Sequence, residues 1–486
     1  MPAPTVLPDL APQLERCFLF EAVEDSYDID AVSGNVPAWL KGSYYVNGPA
    51  RFERFGLRYK HWLDGDGMIY ALHFEPGRIQ FVNRFIQTTK LRDEEEAGRP
   101  LYRGFGTSFE GDRLRRGVML EPPVNVSVYP CAGTLLAFGE QSLPYEMDPL
   151  TLETRGEYDF HGKLTDVTPF AAHAKFDPST GHMVNFGISF SATAPMLNVY
   201  EFDASGHQIR RRRHPLRFLH SNHDFGLSAR FAIFYLSPLL MDFTEFWSAG
   251  KSVMESLRWQ PEHGSRLLIA PRQPGGDAAF EVPVGCGKCL HLINCFEQAE
   301  TLVIDVLELE APVYPEYETI PDLFHDLTPC QPVRYRVDLR TKQLIDRIAM
   351  AYDRGPDFPS LDKRLLCQSY DDFWMLGISH TGQPGRKFFD QLAHGSWKRG
   401  AVDDIYQAAP GEYLAGEPIF VANPGDPEDA VVIIERIDAR TDRSEFLLFE
   451  AGHVAGGPVA RLGLRHKIHP GFHASFQLRS PDRKPG

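Results

Sequence analysis

Four histidines stand in settings that could hold a metal ion. Of the eighteen histidines in 486 residues, these are His173 in AAHAKFD, His223 in SNHDFGLS, His291 in CLHLINCFE and His473 in PGFHASF. Their separations of 50, 68 and 182 residues are unlike the compact spacing of a zinc finger, so the side chains would have to converge from separate strands. For any single histidine, a buried, hydrogen-bonded structural role is the commoner one.

The stretch FLHSNHDFG (218–226) holds two histidines three residues apart, His220 and His223. Two imidazoles at this spacing on a helix can bind one metal. The flanking sequence is typical of strands, however, and residues three apart on a strand point to opposite faces. Both imidazoles could not reach one ion without a bulge, so we expect one ligand and one bystander.

Other reactive patterns have plainer interpretations. CGKC (286–289), with Cys295 nearby, could be half of a zinc site or a redox pair, but no second CxxC exists and buried reduced thiols are favoured. DGDGM (64–68) lacks the frame and the terminal glutamate of a calcium loop, which indicates a glycine-dependent turn. His61, just upstream, is expected to be structural.

The elements that would position these residues are short strands closed by turns. Alternating or β-branched apolar runs occupy 78–88, 182–190, 196–209, 301–310 and 430–451. DASG (203–206) and DARTD (438–442) are typical of hairpin loops. One segment, 241–259, has helical spacing of its apolar residues, although Gly250 weakens it. Many strands, few helices and no linker indicate one large all-β domain over residues 1–486.

The composition excludes several classes of protein. A hydrophobic fraction of 43% and a charged fraction of 24% are those of a globular protein, and no apolar run reaches the ~18 residues that span a bilayer. The net charge of −15 argues against a nucleic-acid partner. The four arginines at 210–213 indicate either an exposed strand or a contact with anionic lipid. Seven cysteines and the lack of a secretory signal predict reduced thiols in the cytoplasm.

The chain resembles the carotenoid cleavage oxygenases over almost its whole length. Nine motifs occur in that family's order: LKGSYYVNGPARF, HWLDGDGMIYALHF, AHAKFDPSTG, NHDFGLS, RWQPEHGSRLLIAPR, HLINCFE, GPDFPSLD, GEPIFVANPG and PGFHASF. One of them would be weak evidence, whereas nine in order are specific. The resemblance implies a seven-bladed β-propeller, with a few helices and loops capping one face over the metal centre.

The resemblance also implies a non-haem Fe(II) on the propeller axis, held by four neutral histidines. Carried over residue by residue, the ligands would be His173, His223, His291 and His473. His220 is then the bystander in FLHSNHDFG. In HKIHPGFHASF, two further histidines at 466 and 469 compete with His473, and the Gly-Phe-His context favours His473.

Three carboxylates that accept the free ring N–H groups of the histidines are implied in the same way. They map onto Glu140, Asp357 and Glu417. The family usually has Glu where Asp357 stands, so the shorter side chain must move the backbone, use a water or leave its imidazole less firmly oriented. The family also usually has proline after the first ligand, and Ala174 here loses a backbone restraint but no ligand.

The chemistry of such a site supports four histidines independently. Imidazole suits Fe(II), and an all-neutral ligand set leaves the site at +2, so an uncharged alkene can lie beside it. Cleavage of a C=C bond with O2 as co-substrate puts one oxygen atom in each carbonyl product and uses the substrate's own electrons. No reductant or organic cofactor is required, which agrees with the lack of a GxGxxG or P-loop motif.

The family's substrates are carotenoids, apocarotenoids, phenolic stilbenes and, in one branch, retinyl esters. In the stilbene branch, the substrate phenol is bound by a lysine just before the first carboxylate and by a tyrosine. Those positions correspond here to Gly139 and to the region of Phe105, which favours a long apolar polyene. We therefore predict cleavage of an apocarotenoid, with the retinal-forming 15,15′ bond as the first guess. The alternatives are a lignostilbene-type α,β-dioxygenase and a metal-free propeller that binds lipids or proteins.

The predicted partner is a lipophilic small molecule, and the protein is expected to be a monomer. The stretch 235–247 (YLSPLLMDFTEFW) resembles the family's apolar patch at the tunnel mouth, which dips into a membrane. Its alternative is an ordinary buried helix. The location we expect is therefore the cytoplasm, with peripheral membrane association if this patch is exposed.

Overall fold

Antiparallel sheets account for nearly all of the regular structure. The computed structural model describes residues 11–189, 191, 194–273, 275, 278–318 and 323–479. Within them, seven sheets of four or five strands follow one another along the chain, and each is built mainly of strands that are neighbours in sequence. The fold is a seven-bladed β-propeller, as the sequence predicts.

The blades are numbered along the chain. In each blade the strands are given from the innermost outward. Blade 1 is Ala474–Leu478, Gly42–Ala50, Asp66–Glu75, Arg78–Phe85 and Asp25–Asp28; blade 2 is Ser127–Cys131, Thr134–Phe138, Tyr145–Met147 and Thr154–Glu157; blade 3 is Lys175–Phe176, Met183–Ser189, Met196–Phe202 and Gln208–Pro215; and blade 4 is Gly226–Leu227, Phe231–Leu236, Arg266–Pro271 and Phe280–Pro283. Blade 5 is Lys288–Gln298, Thr301–Leu309, Cys330–Asp338 and Gln343–Ala349; blade 6 is Asp357–Ser360, Asp372–Gly377, Gln391–Ser396 and Ala401–Gln407; and blade 7 is Glu412–Asn423, Asp426–Asp438, Arg443–Glu450, Pro458–Gly463 and Ala31–Gly34. Two ribbons, Glu53–Arg54 with Leu57–Arg58 and Leu239–Met241 with Leu257–Trp259, lie outside the blades.

The two ends of the chain close the ring of blades at two places, because each contributes a strand to a blade formed mainly by the other end. In blade 1, the C-terminal strand Ala474–Leu478 pairs with Gly42–Ala50. In blade 7, the N-terminal strand Ala31–Gly34 pairs with Pro458–Gly463. Because the first blade needs the end of the chain and the last blade needs its beginning, the strand ladders hold the ring shut without a disulfide.

The first strands of blades 4, 5, 6, 7, 1 and 2 contact one another in that order, which places them nearest the propeller axis. Strands such as Phe231–Leu236 and Leu302–Leu307 are buried on both faces, because a blade packs between two neighbours. This explains why they are continuous apolar runs. The outer strand Gln208–Pro215, which carries the four arginines, alternates between half-buried and exposed positions.

The hairpin predictions are confirmed at both loops, because 203–206 joins two antiparallel strands of blade 3 and 438–442 joins two of blade 7. The helix predicted over 241–259 is wrong. That segment forms two short helices, Phe243–Trp247 and Val253–Ser256, and the strand Leu257–Trp259. Gly250 adopts a φ of 71°, which a helix cannot contain, and Ser252 starts the second helix with a capping box.

Helices are few in the described part of the chain. Besides these two short ones, it contains Ala11–Phe18 and Thr89–Ala97, with 3₁₀ turns at Trp62–Asp64, Pro261–His263, Tyr314–Tyr317, Lys363–Leu365 and Val454–Gly456. None of the described helices is long and apolar enough to cross a membrane. The seven cysteines are free thiols, and all but Cys286 are buried.

Candidate metal centre

The four predicted metal ligands come from four different blades. Each lies in, or just before, the innermost strand of its blade: His173 in blade 3, His223 in blade 4, His291 in blade 5 and His473 in blade 1. Because the innermost strands surround the axis, side chains as far apart in sequence as His173 and His473 meet near it.

The four imidazoles form a compact, buried cluster. One ring nitrogen from each lies within 4.8 Å of the others, and the rings are between 3% and 7% exposed. The Nε2 atoms of His173 and His223 are 3.0 Å apart. The Nε2 atom of His291 is buried without a hydrogen-bond partner among the described residues. Buried polar atoms are rarely left unpaired, so an inward-facing orphan of this kind fits a missing metal ion.

The three predicted carboxylates lie against the outward Nδ1 atoms of three ligands. Glu140 Oε1 is 2.6 Å from His223 Nδ1, Asp357 Oδ1 is 2.5 Å from His291 Nδ1, and Glu417 Oε2 is 3.2 Å from His473 Nδ1. A carboxylate at Nδ1 keeps the proton on that atom and leaves the Nε2 lone pair free for a metal. These residues belong to blades 2, 6 and 7, so every blade contributes to the centre.

Asp357 reaches its histidine directly in spite of its shorter side chain. The strand Asp357–Ser360 carries a bulge opposite its partner strand, and Phe358 has a φ of 53°. A bulky residue in the left-handed region is strained by about 1–3 kcal/mol and persists only where its surroundings enforce it. Asp357 thus contacts His291 Nδ1 directly, from a bulged strand.

The protonation of the site favours metal binding. Burial and the neighbouring imidazoles lower the pKa of His173 well below its ordinary range, and burial lowers that of His473 to about 4. Both rings are therefore neutral near pH 7. Burial alone would raise the pKa of Glu417, but Lys363, whose Nζ is 2.7 Å from Oε1, and His473 lower it to about 2. Burial would lower the pKa of His291, but the charge and hydrogen bond of Asp357 raise it. The neutral imidazoles of His173 and His473 and the ionised Glu417 fit Fe(II).

The carboxylate beside His173 is more distant than those beside the other three histidines. Asp224 Oδ1 lies 3.8 Å from His173 Nδ1. Asp224 also pairs with Lys175 at 2.8 Å and accepts the Leu292 amide at 2.9 Å. The sequence analysis missed Asp224 as part of the centre, although it directly follows a predicted ligand.

The competing histidines lie elsewhere. His220 Nδ1 is 2.7 Å from the Ser237 carbonyl oxygen, and His469 Nε2 is 3.1 Å from the Phe18 carbonyl oxygen. His466 is half exposed. His61 is fully buried, with both ring nitrogens bonded to backbone groups of the Trp62–Asp64 turn and of Tyr314. None of these four belongs to the cluster of ligand atoms in the described residues.

Three cavities lined by described residues touch the histidines. The apolar tunnel, about 110 Å³, ends at His223 and is lined by Leu63, Phe105, Leu219, Phe246 and Tyr314. A small pocket of about 30 Å³ beyond it touches His223, His291, His473 and Tyr317. The third cavity, about 800 Å³, is lined mostly by apolar residues and reaches His173, His291 and His473. We name it the polar channel for its charged residues, which are Lys175, Asp224, Lys363 and Glu417 among others.

Position 139 has no room for a side chain. A Cβ atom built on Gly139 would lie 2.9 Å from Val124 Cα and 3.1 Å from Val124 N, both of which are backbone atoms. A lysine at this position would therefore require the backbone to shift. Phe105 lies in the tunnel wall, as its position in the sequence suggests.

Comparison with known proteins agrees with this geometry. The family described as Retinal pigment epithelial membrane protein (RPE65) matches residues 20–478. The chain belongs to this family. Curated members of this carotenoid cleavage oxygenase family include an isoeugenol monooxygenase from Pseudomonas putida, 27% identical over 96% of this chain and 98% of its own, and the apocarotenoid-15,15′-oxygenase of Synechocystis, 27% identical over 95% of each chain. Another, a lignostilbene-α,β-dioxygenase from Sphingomonas paucimobilis, is 27% identical over 93% of this chain and 94% of its own.

A solved structure of the family is similar throughout. The cobalt-substituted Synechocystis apocarotenoid oxygenase superimposes with a TM-score of 0.87 at 26% identity, covering 96% of this chain and 99% of that one. The family's curated relatives are named as oxygenases and dioxygenases. The present protein is accordingly an oxygenase of the carotenoid cleavage family, with four buried histidines positioned to bind a metal.

Proposed function

We propose that the protein is a non-haem Fe(II) dioxygenase that cleaves a conjugated C=C bond of an apocarotenoid into two carbonyl products. The observation that carries this proposal is the convergence of His173, His223, His291 and His473 at the inner end of an apolar tunnel. When bound, Fe(II) would supply the redox centre that activates O2. Both atoms of O2 enter the products, and the electrons come from the broken C=C bond.

The protein's own residues hold the reactants. Leu63, Phe105 and Phe246 give the tunnel apolar walls that an apolar substrate would contact, whereas Glu140, Gln141 and Asn222 add polar groups to its lining. Glu140, Asp357 and Glu417 would fix the orientation of three imidazoles and the position of the proton on each Nδ1. These residue roles are part of the proposal.

A stilbene or another phenolic alkene is the second candidate. It is favoured by the names of two relatives, the isoeugenol monooxygenase and the lignostilbene dioxygenase, whose identities to this chain equal that of the apocarotenoid oxygenase. Against it, the close approach of Val124 at Gly139 leaves no space for a phenol-binding lysine there.

The discriminating experiment is aerobic incubation of the Fe(II)-reconstituted protein with an apocarotenal, with a hydroxystilbene and with isoeugenol, followed by mass analysis of the products. We expect the apocarotenal to be consumed and to yield two carbonyl compounds. If only the phenolic alkenes are cleaved, the argument from Gly139 fails and the second candidate replaces the first.

We also propose that the protein acts as a monomer that collects its lipophilic substrate at a membrane surface. Residues 235–240 are buried, so within 235–247 the contact would be made by the helix Phe243–Trp247. Trp247 is 46% exposed, and Phe246 of the same helix lines the tunnel. Co-sedimentation with phospholipid vesicles that is unaffected by Trp247→Ser would argue against this contact.

A further inference from the structure

The three carboxylates beside the histidines are not equivalent. Two are glutamates, and the third, Asp357, is one methylene group shorter. The second oxygen of Glu417 is held by Lys363, whose side chain is 54% exposed at the polar channel. Glu140 is 26% exposed at the tunnel. Asp357 is buried, and its second oxygen accepts a hydrogen bond from the hydroxyl of Tyr317 rather than from a lysine.

Asp357 accepts hydrogen bonds from three directions. Its Oδ1 accepts from His291 Nδ1 at 2.5 Å and from the Phe358 amide at 2.8 Å, and its Oδ2 accepts from the Tyr317 hydroxyl. The carboxylate is therefore fixed at both oxygens.

Tyr317 is itself held rigidly. It ends the 3₁₀ turn Tyr314–Tyr317, is 5% exposed, and packs against Trp62 and Phe324 with ring centroids 5.7 and 5.1 Å away. Its ring lines the small pocket beside His223, His291 and His473. The Tyr317 ring therefore belongs to the wall of the small pocket, and its hydroxyl holds Oδ2 of Asp357.

From this arrangement we infer that Tyr317 is a positioning residue for the metal centre: with Asp357 it forms a two-residue support that aligns His291 where the other two ligands each have a glutamate. A longer carboxylate at 357 would meet the Tyr317 hydroxyl, so the two side chains are matched to each other. The inference deepens the proposed function, because it rests on His291 being a metal ligand.

The test uses Co(II), whose visible d–d spectrum reports ligand geometry, so neither iron nor substrate is needed. We expect Tyr317→Phe to shift the Co(II) bands and to speed Co(II) loss to a chelator by about 3- to 10-fold, below the 10–100-fold typical of a lost carboxylate partner. Tyr352→Phe is the matched control. It removes another buried hydroxyl, which donates to Gln391 at 3.0 Å away from the histidines, and should leave the spectrum and rate unchanged.

A second pair of variants decides the matter even if Tyr317→Phe folds poorly. Asp357→Glu alone should distort the Co(II) spectrum, and Asp357→Glu with Tyr317→Phe should restore it, because the hydroxyl that blocks the longer side chain is gone. The inference is overturned if Tyr317→Phe matches the wild-type protein in spectrum and rate, or if Asp357→Glu alone does. If the wild-type protein binds no Co(II), the failure lies with the proposed function instead.

Discussion

His223→Ala is expected to abolish both iron binding and turnover, whereas His220→Ala, three residues away, should keep the iron. His223 offers its Nε2 to the centre, 3.0 Å from His173 Nε2, with Glu140 at its other nitrogen. Its removal leaves three ligands and takes away the ring nitrogen that lies 2.6 Å from Glu140 Oε1. The loss in iron affinity should exceed the 10–100-fold that removal of an outer carboxylate typically costs.

His220 is the matched control, since it has the same chemistry in the same nine-residue stretch. Its Nδ1 is bonded to the Ser237 carbonyl at 2.7 Å, and it lies outside the cluster of ligand atoms. Iron per chain, measured after reconstitution with Fe(II) and gel filtration, should be about one for wild type and His220→Ala. Iron retained at the wild-type level by His223→Ala would remove this residue from the ligand set.

Glu417→Gln should weaken iron retention and turnover by about 10–100-fold without removing a ligand. The amide keeps the shape of the side chain but loses the negative charge that His473 Nδ1 and Lys363 Nζ share, at 3.2 and 2.7 Å. His473 would then be less firmly oriented, and Lys363 would lose its ion pair. The measurement is iron per chain after dialysis against a weak chelator, together with the rate of alkene cleavage.

Glu412→Gln provides the control on the same strand. Glu412 begins the strand Glu412–Asn423, five residues before Glu417, and pairs with Arg436 at 2.7 Å and Arg440 at 2.9 Å rather than with a histidine. It should change neither iron retention nor turnover. If Glu417→Gln holds iron as firmly as Glu412→Gln does, the proposed role of Glu417 is wrong.

Much of the fold follows from the sequence because hairpins are local. The turn residues at 203–206 and 438–442 and the alternating runs beside them suffice to predict the strands that flank them. The number of blades does not follow from pattern alone. The innermost strands range from two residues, Gly226–Leu227, to twelve, Glu412–Asn423, so no regular repeat is visible. The count of seven came from the resemblance to the family.

The candidate metal centre was also predicted only in part. The motifs place His173, His223, His291 and His473, and the structure brings them together. No motif in the sequence marks the residues that contact the carboxylates in turn. Tyr317 and Lys363 meet their carboxylates across 40 and 54 residues of sequence, in the contacts of blade 6 and blade 7. Only the packed propeller places these side chains beside the carboxylates.

The most direct test of the proposed chemistry is the fate of both oxygen atoms when the Fe(II)-reconstituted protein cleaves an apocarotenal under ¹⁸O2. The oxygen atom of a carbonyl product exchanges with water, so the products are reduced to alcohols as they form. Their masses are then measured by mass spectrometry. A dioxygenase that uses only the electrons of the C=C bond predicts one ¹⁸O atom in each of the two products. Label confined to one product, or no cleavage by protein that holds about one iron per chain, would contradict it.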